Sequence, residues 1–154
     1  MPFDVERLLR LWTDPLPENE EAAAAAFRRL YTDPVTVNGI PVTAADLVAR
    51  ARAMQAALEQ PERNVLGVVD AGASVAVAFR LAGRQVGPLQ TPAGPVAPTG
   101  QRVDVRIIDV LTLTDGRISD ILMVADWLGA LAPVGAVHLS ADVAKPPGGA
   151  GSTT

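Results

Sequence analysis

The sequence predicts an α+β fold in which three helices come first and a curved antiparallel sheet follows. Two observations carry this. Apolar residues recur at helical spacing up to about residue 60 and then switch to a period of two, and the order of helices followed by a strand meander is the α+β arrangement rather than the alternation of a parallel sheet. A third sets the scale. The chain has 154 residues, 49% of them hydrophobic and 19% charged, with a mean hydropathy of +0.23, which suits one domain with a substantial core. We assign residues 1–139 to that domain and the Pro, Gly and Ser/Thr-rich run 140–154 to a disordered tail.

Asp4 to Leu11 has the spacing of a short amphipathic helix, with Val5, Leu8, Leu9 and Trp12 on one stripe before Asp14, Pro15 and Pro17 interrupt it. Glu18 to Leu30 forms the second helix, with acids in its first turn and Arg28 and Arg29 near its end, the order that suits the helix dipole. Asp33 and Pro34 stop it. Val35 to Val37 and Ile40 to Val42 are short β-prone runs about an Asn38-Gly39 turn. Thr43 and Asp46 resemble a capping box for a third helix from Ala44 to about Gln60, buried through Leu47, Ala51, Met54 and Leu58 and ended by Pro61.

Strands are expected at Val65 to Asp70, Ser74 to Leu81, Arg102 to Thr114 and Arg117 to Ala125, broken by Ala71-Gly72 and Asp115-Gly116. Residues 83–100 carry Pro88, Pro92, Pro95 and Pro98 with little periodicity, and read as a binding loop or a plain excursion.

One residue interrupts the pattern. Val103, Val105, Ile107, Asp109, Leu111 and Leu113 share one face of their strand, so a single carboxylate stands in an otherwise apolar row. Such an acid is either satisfied by hydrogen bonds, for instance from Tyr31, Gln85 or a buried water, or is a group whose raised pKa is put to use. Its neighbours depend on the next turn. A three-residue Thr114-Asp115-Gly116 hairpin sets Asp109 across from Ile121 and beside Met123 and Ala125, and this is the register we prefer; a two-residue turn brings up Leu122 and Val124 instead. Both surround the carboxyl with aliphatic side chains.

Composition removes several function classes. There is no Cys, and the one His, His138, lies near the C-terminus, which leaves no thiol chemistry, no Cys/His zinc site and no Ser-His-Asp triad; no metal or cofactor is expected. A net charge of −4 without a basic cluster and an aromatic content of 4% argue against nucleic acid. No signal-peptide pattern opens the sequence and no apolar run reaches the roughly 18 residues of a membrane span, so a cytoplasmic protein is expected.

The runs Tyr31-Thr-Asp-Pro-Val-Thr-Val-Asn-Gly39, Val68-Val-Asp-Ala-Gly-Ala-Ser-Val-Ala-Val-Ala-Phe-Arg-Leu-Ala-Gly83, Pro98-Thr-Gly100, Ile108-Asp-Val-Leu-Thr-Leu-Thr-Asp-Gly-Arg-Ile118 and Val124-Ala-Asp-Trp-Leu-Gly129 resemble the SnoaL-like polyketide cyclases of the NTF2-like superfamily. The resemblance spans roughly residues 4 to 135 and implies a cone-shaped α+β barrel with an apolar pocket, often dimerising through its sheet. In aldol-type members it implies a His and an Asp as proton-transfer groups, at positions that here hold Asp109 and Met123. The epoxide-hydrolase type would need an Arg and an Asp near Phe79 and Leu81, and Gln85 and Ile121 stand where His is frequent.

The resemblance therefore implies a pocket that keeps its shape and lacks most of the proton-transfer groups. We expect a cyclase that closes a ring in a hydrophobic, polyketide-like precursor, with [4+2] cycloaddition as the chemistry suited to a pocket poor in bases. Asp109 is the catalytic candidate, as a hydrogen-bond donor, and Tyr31, Asn38, Phe79, Leu81, Gln85, Ile107, Ile121, Met123 and Trp127 are the substrate-binding candidates. Two other classes stay open, an acid/base enzyme of the ketosteroid-isomerase or aldol type that uses Asp109, and a non-catalytic binder of a hydrophobic small molecule. The isomerase needs an oxyanion donor, and the only Tyr is expected outside the strands. Asp126 reads as a helix cap, Trp12 as a packing or mouth residue. The largely apolar last strand makes a homodimer the expected assembly.

Overall fold

The computed structural model describes residues 2–140. The segment 141–154 of the expected tail lies outside the described residues. In chain order the elements are α1 (Val5–Thr13), α2 (Glu20–Arg28), β1 (Tyr31–Val37), β2 (Ile40–Val42), α3 (Ala44–Ala57), β3 (Leu58–Asp70), β4 (Ser74–Gln85), β5 (Leu89–Thr91), β6 (Gly94–Val96), β7 (Arg102–Thr114), β8 (Arg117–Ala125) and α4 (Trp127–Leu131).

Caps fix the helix starts. The Asp4 carboxylate accepts from the Arg7 amide at 2.9 Å, and the Asn19 side chain accepts from Ala22 at 2.9 Å. The second cap explains why α2 begins at Glu20 and not at Glu18. The Thr43/Asp46 capping box is present in both directions. α3 is shorter than expected, because Leu58 is already extended and β3 starts there. Pro61 does not end a helix; it sits in an edge strand, where the pairing with β4 skips from Glu59 to Glu62 and no ladder donor is missed.

A six-stranded sheet runs in the order β2-β1-β8-β7-β4-β3. It is antiparallel except between β1 and β8, which are parallel, a departure from the all-antiparallel expectation. The β7–β8 turn also differs. Asp115 and Gly116 both have positive φ, 51° and 76°, and Thr114 pairs with Arg117, so this is a two-residue primed turn. Ser119 is then an extra residue, since Leu113 pairs with Ile118 but Thr112 pairs with Asp120. Asp109 consequently faces Met123, neither Ile121 nor Leu122. The bulge keeps Ile121, Met123 and Ala125 on the side of Asp109 all the same.

Two hydrophobic clusters fill the concave side. The first joins α1, α2 and α3 to the sheet through Leu8, Phe27, Leu47, Val75, Leu111 and Ile118. The second gathers Leu58, Leu89, Val103, Val105, Ile107 and Leu131. Residues 83–100 are not an unstructured excursion. β4 continues to Gln85, and β5 and β6 form a hairpin that sets Leu89 into the second cluster.

The convex side carries two apolar rows across four strands. Val69, Ala76, Val110 and Leu122 make one, and Gly67, Ala78, Ile108 and Val124 the next, with Val69, Leu122 and Val124 exposed by 68%, 58% and 66%.

The burial of Phe27 and the peripheral place of the cap at Thr43 lead to different expected costs. Phe27→Ala should remove about 3–5 kcal/mol of stability and Thr43→Ala about 1 kcal/mol, read from urea midpoints. Equal losses would contradict this division between core and cap.

Candidate functional site

Asp109 sits at the seam between the two cores. Its cross-strand neighbours are Val77 and Met123, and its neighbours along the inner face of β7 are Ile107 and Leu111. Val77 and Leu111 belong to the first cluster and Ile107 to the second, while Phe79 packs against both. The concave surface is not sealed at this seam. Phe79, Leu81, Asp109 and Ala125 are half-buried, and Met123 is 39% exposed.

The carboxyl has no partner for one oxygen. Asp109 Oδ1 is buried and accepts no hydrogen bond. Burial alone pushes the pKa of this carboxyl from the ordinary 3.8 up to about 6. Neither of the satisfying partners considered from sequence reaches it. The Gln85 amide is engaged elsewhere, donating to the carbonyls of Val96 (3.1 Å), Ala97 (3.2 Å) and Gly87 (3.3 Å) and accepting from Thr99, which ties the β5–β6 hairpin to the end of β4.

Tyr31 is not outside the strands, as expected from sequence. It opens β1, is buried, and lies 5.8 Å in ring-centroid distance from Phe27. Its hydroxyl oxygen accepts from Trp12 Nε1 at 2.8 Å. Burial raises the phenol pKa well above its ordinary value, the Trp12 bond partly offsets this, and the negative charge of Asp109 adds to the rise. Trp12 was read from sequence as a packing or mouth residue. Nothing in spacing reveals its bond to Tyr31, because the two lie on different elements.

The remaining candidates separate into two groups. Phe79, Leu81, Ile107, Ile121 and Met123 all face the concave side with Asp109. Trp127 starts α4 and packs on the second cluster. Asn38 lies at the β1–β2 turn with φ of 48°, and its amide is occupied by the backbone of Met123, accepting from its N–H at 2.8 Å and donating to its carbonyl at 3.2 Å. Asp126 caps α4 by accepting from Gly129 at 2.8 Å, and His138 is exposed.

Two surface hollows open away from this seam. One is lined by Arg7, Arg10, Leu11, Leu16 and Arg29 beside α1 and α2, the other by Glu62, Asn64, Arg80, Arg102 and Asp104 on the convex side; Asp109 is in neither wall. Among the described residues no three His, Cys, Asp or Glu side chains are grouped to hold a metal ion. No described helix is long and apolar enough to cross a membrane.

A family model for the SnoaL-like polyketide cyclases matches residues 6–133. The chain belongs to that family. Among solved structures, a candidate SnoaL-like polyketide cyclase from Jannaschia sp. CCS1 is 25% identical, with a TM-score of 0.64 over 87% of this chain and 92% of that one. TsrD from Streptomyces laurentii is 20% identical, with a TM-score of 0.65 over 87% and 98%. IdmH from Streptomyces antibioticus, described as a candidate polyketide cyclase, is 19% identical, with a TM-score of 0.58 over 75% and 89%. A protein from Catenulispora acidiphila with a ketosteroid isomerase-like fold, 17% identical with a TM-score of 0.60 over 85% and 91%, shares the architecture, so the curved sheet around its helices is the NTF2-like cone. No curated protein matches the chain.

Burial of Asp109 makes stability depend on pH with a definite sign. Between pH 3.8 and about 6 the folded protein holds a proton that the unfolded chain has released, so stability falls as pH rises through that window and is level above it. Integrated over the window this is roughly 3 kcal/mol. Asp109→Asn should therefore be more stable than the parent at pH 8 and no more stable at pH 4, read from urea unfolding at both. A pH-independent difference would contradict a desolvated Asp109.

Proposed function

We propose that this protein is a cyclase that closes a ring in a hydrophobic, polyketide-like precursor held at the seam between the two cores. The single observation that carries the reading is the Asp109 carboxyl, which faces the concave side with one buried oxygen unpartnered and a pKa raised to about 6. A carboxyl poised near neutral pH can both take and return a proton. Family membership supports the reaction class. Phe79, Leu81, Ile107, Ile121 and Met123 are the proposed apolar wall, Tyr31 the proposed contact for a substrate oxygen, and Asn38, Gln85 and Trp127 the proposed supports of the rim. The protein needs no cofactor in this scheme.

The chemistry balances without redox or water. Asp109 takes a proton from a carbon beside a carbonyl, and the electron pair moves to that oxygen, where the Tyr31 hydroxyl donates to it. The enolate carbon attacks a second carbonyl of the same molecule, one carbon–carbon bond forms, and the new alkoxide recovers the proton from Asp109. Holding both ends of a flexible chain in reach contributes at most about 7–11 kcal/mol of the barrier.

A second reading rests on a different observation. The position that pairs with Asp109 on the last strand is Met123, so no second acid assists. A neutral Asp109 would then donate a hydrogen bond to a carbonyl while a [4+2] closure proceeds in an apolar wall. The pH profile separates the two. As base, Asp109 gives a single-turnover rate that rises through pH about 6, and Asp109→Asn is as damaging as Asp109→Leu. As donor, the rate falls through the same pH, and Asn retains what Leu loses, roughly 1–3 kcal/mol of transition-state stabilisation. Parental rates in both variants would leave the shape of the apolar wall, and not Asp109, as the catalyst.

The assembly we propose is a homodimer through the convex face, where the two apolar rows would otherwise meet water. Sedimentation of the parent should give a dimer at micromolar concentration, and Val124→Glu with Ile108→Glu should give a monomer. A parent that sediments as a monomer overturns this.

A further inference from the structure

The two surface hollows differ in how their charges are matched. In the convex one the wall answers its own charges, Arg80 pairing with Asp104 and Arg102 with Glu62 at 3.1 Å. The hollow beside α1 and α2 is not neutralised. Its rim carries Arg7 and Arg10 from α1 and Arg29 from the end of α2, all exposed. Among the described residues Arg7 and Arg29 form no ion pair, and Arg10 has only the exposed pair with Glu6 at 3.2 Å. Asp14, the one acid of this wall, is engaged by Arg63 at 3.7 Å. A local excess of positive charge therefore stands on a chain whose net charge is −4.

Helical spacing gathers these residues. Arg7, Arg10, Leu11 and Asp14 recur at i, i+3, i+4 and i+7 and share one stripe of α1 and its C-cap, and Ala26, Arg29 and Leu30 repeat that spacing where α2 ends. The floor between the rims is apolar, with Leu30 buried and Leu11, Leu16 and Ala26 half-buried. The Pro15-Leu16-Pro17 connection completes the wall, its φ angles restricted at both prolines. From α3, Gln55 donates to the Asp14 carbonyl at 2.9 Å and Arg52 to the Pro17 carbonyl at 2.8 Å. The walls are held in place before anything binds.

Size and charge choose the occupant. The hollow encloses about 280 Å³, just short of the roughly 300–1,000 Å³ of pockets that bury most of a small ligand. With its guanidinium groups exposed, it suits an apolar side chain projecting from a larger body. A membrane surface fits less well, because the apolar groups form a floor beneath the charged rim and do not project from it. The rim asks for carboxylates on both sides of the inserted side chain. A helix supplies them when an apolar residue is flanked by Asp or Glu three and four positions away.

We propose that the hollow between α1 and α2 is a docking surface for an acidic amphipathic helix of a partner protein, whose apolar side chain enters the Leu11, Leu16 and Leu30 floor while its carboxylates meet Arg7, Arg10 and Arg29. Because the surface opens away from Asp109, docking there is independent of the reaction performed at the seam.

The probe is a fluorescein-labelled peptide of about 18 residues, long enough to hold a helix, with Leu along one face and Glu along the other. A second peptide carries Lys in place of Glu. Fluorescence anisotropy should show the acidic peptide bound and the basic one free. Arg7→Glu with Arg29→Glu should weaken binding about tenfold, a few-fold for each exposed ion pair replaced by repulsion. Arg50→Glu with Arg117→Glu makes the same change in net charge at exposed arginines elsewhere, and should leave binding within about twofold. Amide NMR shifts on binding should be confined to residues 7–17 and 26–30. Equal losses in the two double variants would mean attraction by net charge alone and overturn the site, as would a parent that does not bind the acidic peptide. Two other occupants have their own readouts. If the Arg7 and Arg29 variant sediments as a smaller species than the parent, the surface belongs to a second copy of this chain. If the parent floats with phosphatidylserine vesicles and that variant does not, it is a membrane contact. Either result overturns the partner helix.

Discussion

One extra residue in the last strand decides what the concave side of this protein contains. The Asp115-Gly116 turn alone would pair Asp109 with Leu122 and turn Leu122 and Val124 toward the helices. Ser119 absorbs the difference. Its hydroxyl bonds to Thr114 Oγ1 at 2.8 Å and to the Thr112 carbonyl at 3.2 Å, so the bulge is held by hydrogen bonds of its own. With that one-residue offset, Ile121, Met123 and Ala125 face inward and the convex rows are completed by Leu122 and Val124. The inner and outer faces of the sheet both follow from it.

The second constraint is a cost accepted inside the fold. A carboxyl among Val77, Ile107, Leu111 and Met123 is destabilising when charged. The two cores meet around it, the first covered by the three N-terminal helices and the second by α4, the β5–β6 hairpin and the end of α3, with Phe79 packed against both. Gln85 is the polar counterpart. It is as buried as any residue of the core, yet its side-chain bonds go to Val96 of the hairpin and to Gly87, Ala97 and Thr99 on either side of it, so it supports the second core instead of Asp109.

Much of this was legible in the sequence, and the failures share a cause. The inner row of β7, the Thr43/Asp46 capping box, the Asp126 cap and the side of β8 that accompanies Asp109 are all written in residues close to one another along the chain. The misreadings involve partners far apart. Pro61 looked like a helix stop because edge position is not visible locally; residues 83–100 looked structureless because the Gln85 amide that organises them bonds 11 to 14 residues along the chain, a spacing that periodicity does not show. Tyr31 was expected outside the strands because the parallel pairing of β1 with β8 joins segments about 85 residues apart. The outer residues Ile108 and Val110 were overshadowed by the charged Asp104 and Arg106 beside them. The Trp12 to Tyr31 bond has no sequence signal at all.

β7 keeps two separate inscriptions on one backbone. Its odd positions from 103 to 113 line the inside, and Ile108 and Val110 lie outside, with Asp109 between them. A period of two isolates these sets as long as the register holds. Evolution, or a protein engineer, can therefore rewrite the inner text while leaving the outer text unread. Insertions and deletions have no such freedom, since a single added residue would exchange the two.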